Sequence, residues 1–347
     1  MSLLTRHQRR RESISTPATA EQPTHSAKRY PILLGLLGAL AVALIIAHLA
    51  WGNPAPVGSR GFYLIAGMRV EVLVTIAVVA LCHSLSTVVF QTIANNRIIT
   101  PSIMGFEALY VTFQTATVFF LGASALASMG KVPQIAIQSL LMVGFAALLY
   151  GWLLSGKFAN MHIMLLVGII IGGGLASLST FMQRLLTPSE FDILSARLFG
   201  SISNSNAAYL PIAIGVCVLV GAYLWTQSPR YDVMALGRDA AINLGLNHRR
   251  QTILALLAVS VLMSVTTSLV GPMTFLGFLV ATLAYQVTGS HQHRRILPVA
   301  FLLAFVMLLG AYFVMRNIFY AEGAVTIIIE LIGGGFFLFY VLRKAKQ

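Results

Sequence analysis

Apolar runs of about 20 residues, divided by short connections that hold most of the charge, dominate the chain. Ten such runs occupy approximately 31–51, 70–94, 104–122, 132–154, 161–182, 207–226, 251–270, 274–289, 297–316 and 324–342. A helix needs about 20 apolar residues to cross roughly 30 Å of hydrocarbon. The pattern therefore predicts about ten transmembrane helices, the eighth of them short, in an all-α integral membrane protein. Residues 1–28 have no apolar period and contain Pro17, Pro23 and several Ser and Thr. They are expected to form a disordered basic cytoplasmic tail, leaving one polytopic domain over 29–347. A cleaved signal peptide is the alternative for the first 51 residues. The first apolar run is longer than an ordinary signal core and follows a long charged lead-in, so a retained helix is expected.

Composition agrees with this class. Of 347 residues 57% are hydrophobic and only 10% are charged, against about 25% charged in a soluble domain. The net charge of +13 would suit a nucleic-acid partner, but the positions of the charges argue for topology. With the N-terminus in the cytoplasm, 17 of the 23 Lys and Arg fall on the cytoplasmic side, as the positive-inside rule requires. Both termini are then cytoplasmic, and part of the excess faces anionic lipid heads.

No enzymatic constellation is present. The sequence has no Walker A loop, no HExxH and no paired carboxylates, so it is not expected to hydrolyse ATP itself. Cys82 and Cys217 lie in apolar runs without CxxC spacing, and they are expected to be small buried thiols rather than a metal site or disulfide. No cofactor or metal is expected. Polar residues inside apolar runs need a partner or a wet cavity. His83, Thr87 and Gln91 recur every four residues, either lining a pathway or bonding a neighbouring helix. Glu330 leaves the same two readings open. Gly168, Gly172, Gly173 and Gly174 permit close helix packing or a movable helix.

The loop from Ser228 to Arg250 contains "LGRDAAINLGLNHRR". Leu236, Ala240 and Leu244 stand at four-residue intervals, with Arg238, Asp239 and Asn243 opposite and Gly245 as a helix stop. Such an element either rests on lipid or fits a groove on a soluble partner.

These residues resemble the cytoplasmic coupling loop of the permease subunits of iron-siderophore and cobalamin ABC importers, the FecCD-type family. That loop reads approximately L-G-x-x-x-A-x-x-L-G, matched by Leu236, Gly237, Ala241, Leu244 and Gly245. "FQTIANNRIITPSIMGFEALY" resembles the family's segment after the second helix through Gln91, Asn96, Pro101 and Gly105. "GPMTFLGFLVATLAY" resembles its GPxxFxGL stretch through Gly271, Pro272, Phe275 and Gly277. "FDILSARLFGSIS", "RRILP", and Glu322-Gly323 with "IGGGFF" continue the likeness toward the C-terminus. The chain departs from the family at "ATLAY", where many members have P-H-L-A-R, at Arg69-Val70-Glu71-Val72, where an R-x-P-R is usual, and at "EGAVT", which lacks a proline. The wording is nearest the branch handling catecholate or related siderophores.

The resemblance implies a type II importer permease: two such subunits, here expected to be different chains, enclose the pathway. Two ATPase subunits dock beneath, and a periplasmic or lipid-anchored binding protein delivers the ferric chelate. Leu236, Gly237, Arg238, Asp239, Ala241, Leu244 and Gly245 would then touch the ATPase. Asn96 and Ile98, with Asn160 and Met161, would form the cytoplasmic gate. Pathway candidates are His83, Thr87, Gln91 and Glu330. Arg69 and Arg316 would meet acidic residues of the binding protein, so that Arg69→Glu impairs docking without unfolding. The alternatives are a permease for cobalamin or haem, an ion-coupled secondary transporter using Glu71, Glu107 and Glu330, and a membrane scaffold or receptor.

Overall fold

The computed structural model describes residues 24–128, 130–153, 161–198, 202, 209–320 and 325–345. Among them the chain is helical, with short turns between elements. The helices are α1 (Thr24–Ala50), α2 (Arg60–Ile93), α3 (Phe106–Ser128), α4 (Lys131–Leu153), α5 (Met161–Leu185), α6 (Pro188–Leu198), α7 (Leu210–Thr226), α8 (Ser228–Met234), α9 (Arg238–Asn243), α10 (His248–Val270), α11 (Leu276–Thr288), α12 (His293–Asn317) and α13 (Val325–Ala345), with a 3₁₀ turn at Pro101–Met104. Each of the ten predicted runs overlaps one long helix; α6, α8 and α9 are short additions. Of the predicted tail, residues 1–23 lie outside the described residues, and α1 begins at Thr24, inside the range expected to be tail.

α2 is the central post. Of its most apolar stretch 78% is buried, against 17% for α1, which separates the core helix from the one that faces lipid. α2 packs against α10, α12, α11 and α7. Cys82 on α2 and Cys217 on α7 are free buried thiols whose Sγ atoms lie 3.0 Å apart.

Six described helices are long and apolar enough to span alone, and α7 with α8 makes a seventh across a 56° bend. α3 is broken at Gly122. The eighth predicted span, 274–289, is short as expected: α11 has 13 residues, a rise of about 20 Å, less than the roughly 30 Å of hydrocarbon. The turn joining α10 to α11 therefore lies within the bundle, where backbone polar groups need protein partners. Glu107, at the start of α3, supplies them. Its Oε1 accepts from the Met273 amide at 3.2 Å and its Oε2 from the Thr274 hydroxyl at 2.6 Å.

The polar stripe of α2 is also internal. His83, Thr87 and Gln91 are each at most 2% exposed, so within this chain the stripe faces neighbouring helices. Thr87 packs on Gly277 so tightly that a Cβ there would collide with its Oγ1. Gly277→Ala is expected to cost about 1–3 kcal/mol, with Thr87→Ala in the same chain recovering most of it. Thermal unfolding in detergent of the single and double variants checks this, and equal losses in both would refute it. In α5, Gly168 and Gly172 approach Met104 and Gly105, whereas Gly173 and Gly174 face open space.

Arg69 is corrected. It is 6% exposed, and its guanidinium donates to the carbonyls of His48 (2.9 Å), Leu49 (3.3 Å), Trp51 (2.7 Å) and Gly52 (3.0 Å). Helix C-termini leave carbonyls without intrahelical partners; Arg69 satisfies those of α1. The charge faces inward, not toward a docking protein. Arg316, at the end of α12, is half-buried near it.

Candidate coupling and gating site

At the cytoplasmic end α7 gives way to α8, with Pro229 in the first turn, where its missing amide costs nothing. α8 buries Tyr231 and Met234. Gly237 then adopts φ +100°, a conformation that suits glycine, and this break separates α8 from α9. α9 closes on Gly245, φ +83°, in a Schellman arrangement: the Leu246 amide bonds Ala241 O and the Gly245 amide bonds Ile242 O. Asn247 Oδ1 then caps α10 by accepting from the Arg250 amide at 3.1 Å.

This geometry revises the predicted stripe. Leu236 precedes the break and belongs to the last turn of α8, bonding Val233 O. It therefore shares no helical face with Ala240 and Leu244. The buried anchor of α9 is Ala241, 0% exposed, while Leu236 (65%), Ile242 (49%) and Leu244 (63%) project outward beside exposed Arg238 and Asp239. The sequence reading missed Ile242.

The C-terminus of α2 uses the same device. Asn95 takes φ +47°, its amide bonds Thr92 O, and the Asn96 amide bonds Gln91 O. Asn96 Oδ1 accepts from the Ile98 amide at 2.9 Å, and Gln91 Nε2 donates to Arg97 O at 2.8 Å. The Arg97 guanidinium sits 4.5 Å from the centre of the Tyr285 ring. The predicted gate residues Asn96 and Ile98 thus belong to a turn fastened at several points. Between this turn and α9 lies a cavity of about 540 Å³, lined by Ala94, Asn95, Met161, Gly237, Arg238 and Ile242 among others. Met161 is thereby brought to the gate turn, whereas Asn160 lies outside the described residues. Glu330 is exposed on α13, apart from this end.

Three residues the sequence reading did not single out join α8 to α2. Asp232 Oδ1 accepts from the His293 amide (2.7 Å) and is 2.6 Å from His293 Nδ1; His293 Nε2 is 2.7 Å from Thr92 Oγ1. The signal in the sequence was a histidine opening an apolar helix, which means nothing until its partners, 61 and 201 residues away, are known.

Residues 32–344 match the FecCD transport family. The chain is 48% identical over 330 residues, covering 95% of it and 93% of the relative, to the petrobactin import system permease protein FatC of Bacillus anthracis. It is 35% identical over 279 residues, 80% of it and 89% of the relative, to the petrobactin import system permease protein YclO of Bacillus subtilis (strain 168). A solved inward-facing conformation of a metal-chelate type ABC transporter superposes with a TM-score of 0.78 at 23% identity, over 90% of this chain and 99% of that one, and so shares the fold. The family match runs nearly end to end, over a range that includes Leu236–Gly245 and the turn at Asn96: the chain belongs to the FecCD transport family.

Proposed function

We propose that this chain is the membrane-spanning permease of an ATP-driven importer that carries a ferric siderophore across the bacterial cytoplasmic membrane. The observation that carries the reading is α9. Ile242 and Leu244 stand exposed there on a short, firmly anchored element, with Leu236 exposed just before the Gly237 break, beside Arg238 and Asp239 and across a cavity from the gate turn. A helix displaying apolar tips with flanking charge suits a groove on a soluble partner, and an ATPase subunit is the partner that gives it work to do. A second permease, of different sequence, completes the pathway, and two ATPase subunits bind beneath.

A periplasmic or lipid-anchored binding protein delivers the chelate to the outer face, where Arg316 stands at the end of α12. Ion pairs at such a surface contribute orientation and encounter rate more than affinity. Ferric petrobactin is the first substrate to test, because two relatives are named for its import. An ion-coupled carrier is disfavoured, since Glu107 commits both carboxylate oxygens to the turn at Met273 and Thr274.

Uptake of radiolabelled ferric petrobactin by iron-starved cells, with and without this chain, tests the reading. Ferric catecholate, ferric hydroxamate, haem and cobalamin serve as competitors. Import is expected to require the chain, to fail on ATP depletion and to survive collapse of the membrane potential. Import that follows the potential instead would sink the ATP-driven reading; competition by haem or cobalamin alone would move the substrate to a sister branch.

A further inference from the structure

A carboxylate, an imidazole and a hydroxyl from three separate elements meet in one line at the cytoplasmic end. Asp232 belongs to α8, which leads directly into Gly237 and α9. His293 opens α12, and Thr92 sits in the last turn of α2, three residues before Asn95. An ionised carboxylate only accepts hydrogen bonds, so His293 directs its Nδ1 hydrogen to Asp232 at 2.6 Å, and Nε2 meets Thr92 Oγ1 at 2.7 Å. Thr92 Oγ1 also lies 2.9 Å from Val88 O, and the Tyr285 hydroxyl is 3.4 Å from both. Tyr285 in turn carries the Arg97 guanidinium of the gate turn on its ring.

The same three groups serve acyl transfer in hydrolases, but not here. Thr92 is 7% exposed and His293 2%, Thr92 stands inside a helix whose amides are already committed, and the cavity beside the pair is small, about 130 Å³. A bonded line of this kind, buried at His293 and Thr92, fixes the relative position of the elements it joins.

We propose that Asp232, His293 and Thr92 are positioning residues that tie the coupling helix to the gate turn, so that displacement of α8–α9 is delivered to Asn95–Arg97. This rests on the permease reading above. When the ATPase moves α9, α8 follows through the bonded turn at Gly237, and Asp232 draws on α12 and, through His293, on the end of α2. The gate turn follows because Gln91 Nε2 and the Tyr285 ring hold Arg97 to the same turn of helix. The rival is packing alone, since Tyr231 of α8 also lies against the His293 ring, centroids 5.9 Å apart.

The test uses the whole complex, this chain with its partner permease and ATPase subunits, in liposomes. The readout is ATP hydrolysed per chelate delivered by the loaded binding protein. Thr92→Val keeps the shape and removes the hydroxyl; Thr92→Ser keeps the hydroxyl; Asp232→Asn removes the charge. Loss of a charge-assisted bond of this type is expected to raise the ratio about tenfold in Thr92→Val and in Asp232→Asn. The double variant should be no worse than the larger single, because both cut one line, and Thr92→Ser should stay near wild type. An unchanged ratio in Thr92→Val and Asp232→Asn would overturn the linkage in favour of packing. So would hydrolysis and delivery falling in proportion, which marks a merely structural role.

If the wild-type complex hydrolyses ATP but delivers no ferric chelate, the substrate reading fails by itself. The linkage is then judged from a spin label at exposed Asn95. Its nucleotide-driven displacement should shrink in Thr92→Val and persist in Thr92→Ser, and equal displacement in both would overturn it.

Discussion

Leu236→Asp combined with Leu244→Asp lowers chelate uptake by roughly a hundredfold while the chain stays in the membrane at its usual level. The two side chains are 65% and 63% exposed, so placing charge on them costs the isolated fold little. What is lost is apolar area that a groove on the ATPase would cover, and buried charge there would be unpaired. Co-purification of the ATPase with the variant, measured beside uptake, separates the outcomes. Loss of both identifies α9 as the power link. Retention of both would mean that α9 rests on lipid. Ala241→Asp provides the contrast, because a buried anchor at 0% exposure admits no carboxylate and the α9 turn itself should be disrupted.

Arg69→Glu is expected to reduce folding rather than docking. The guanidinium answers four carbonyls from His48 to Gly52. Glutamate would leave them unpaired and add negative charge at the negative end of α1. The expected loss is about 3 kcal/mol or more, seen as reduced membrane level and a lowered unfolding temperature in detergent. Arg69→Lys, with a single ammonium in place of the planar fork, should fall between. A variant Arg69→Glu that is stable but fails to bind the delivery protein would restore the surface reading and refute the capping role. Arg316, half-buried beside it, is the better position for testing docking at this face.

Much of the architecture was legible from one-dimensional pattern. Apolar length marked each long helix because hydrocarbon selects for it residue by residue, and the "LGRDAAINLGL" spacing marked a structured loop with a glycine stop. Other features depended on the fold. The shortness of α11 was legible, yet only the tertiary fold shows Glu107 satisfying the turn that this creates. Arg69 and the His83–Gln91 stripe looked functional because polar groups in apolar runs demand an explanation. For Arg69, Gln91 and Thr87 the contacts are carbonyls and a glycine of the same chain, reached through the fold.

The sequence by itself determined the helical membrane class, the orientation of the charge and the family motifs, since each depends on neighbours a few residues apart. Tertiary structure alone decided that Ile242 and Leu244 on α9, with Leu236 before the Gly237 break, stand outward and that Asp232, His293 and Thr92 meet. The reason is physical. A hydrogen bond or an exposed face is set by what lies within a few ångströms in space, and for these groups that neighbour lies 61 or 201 residues away along the chain.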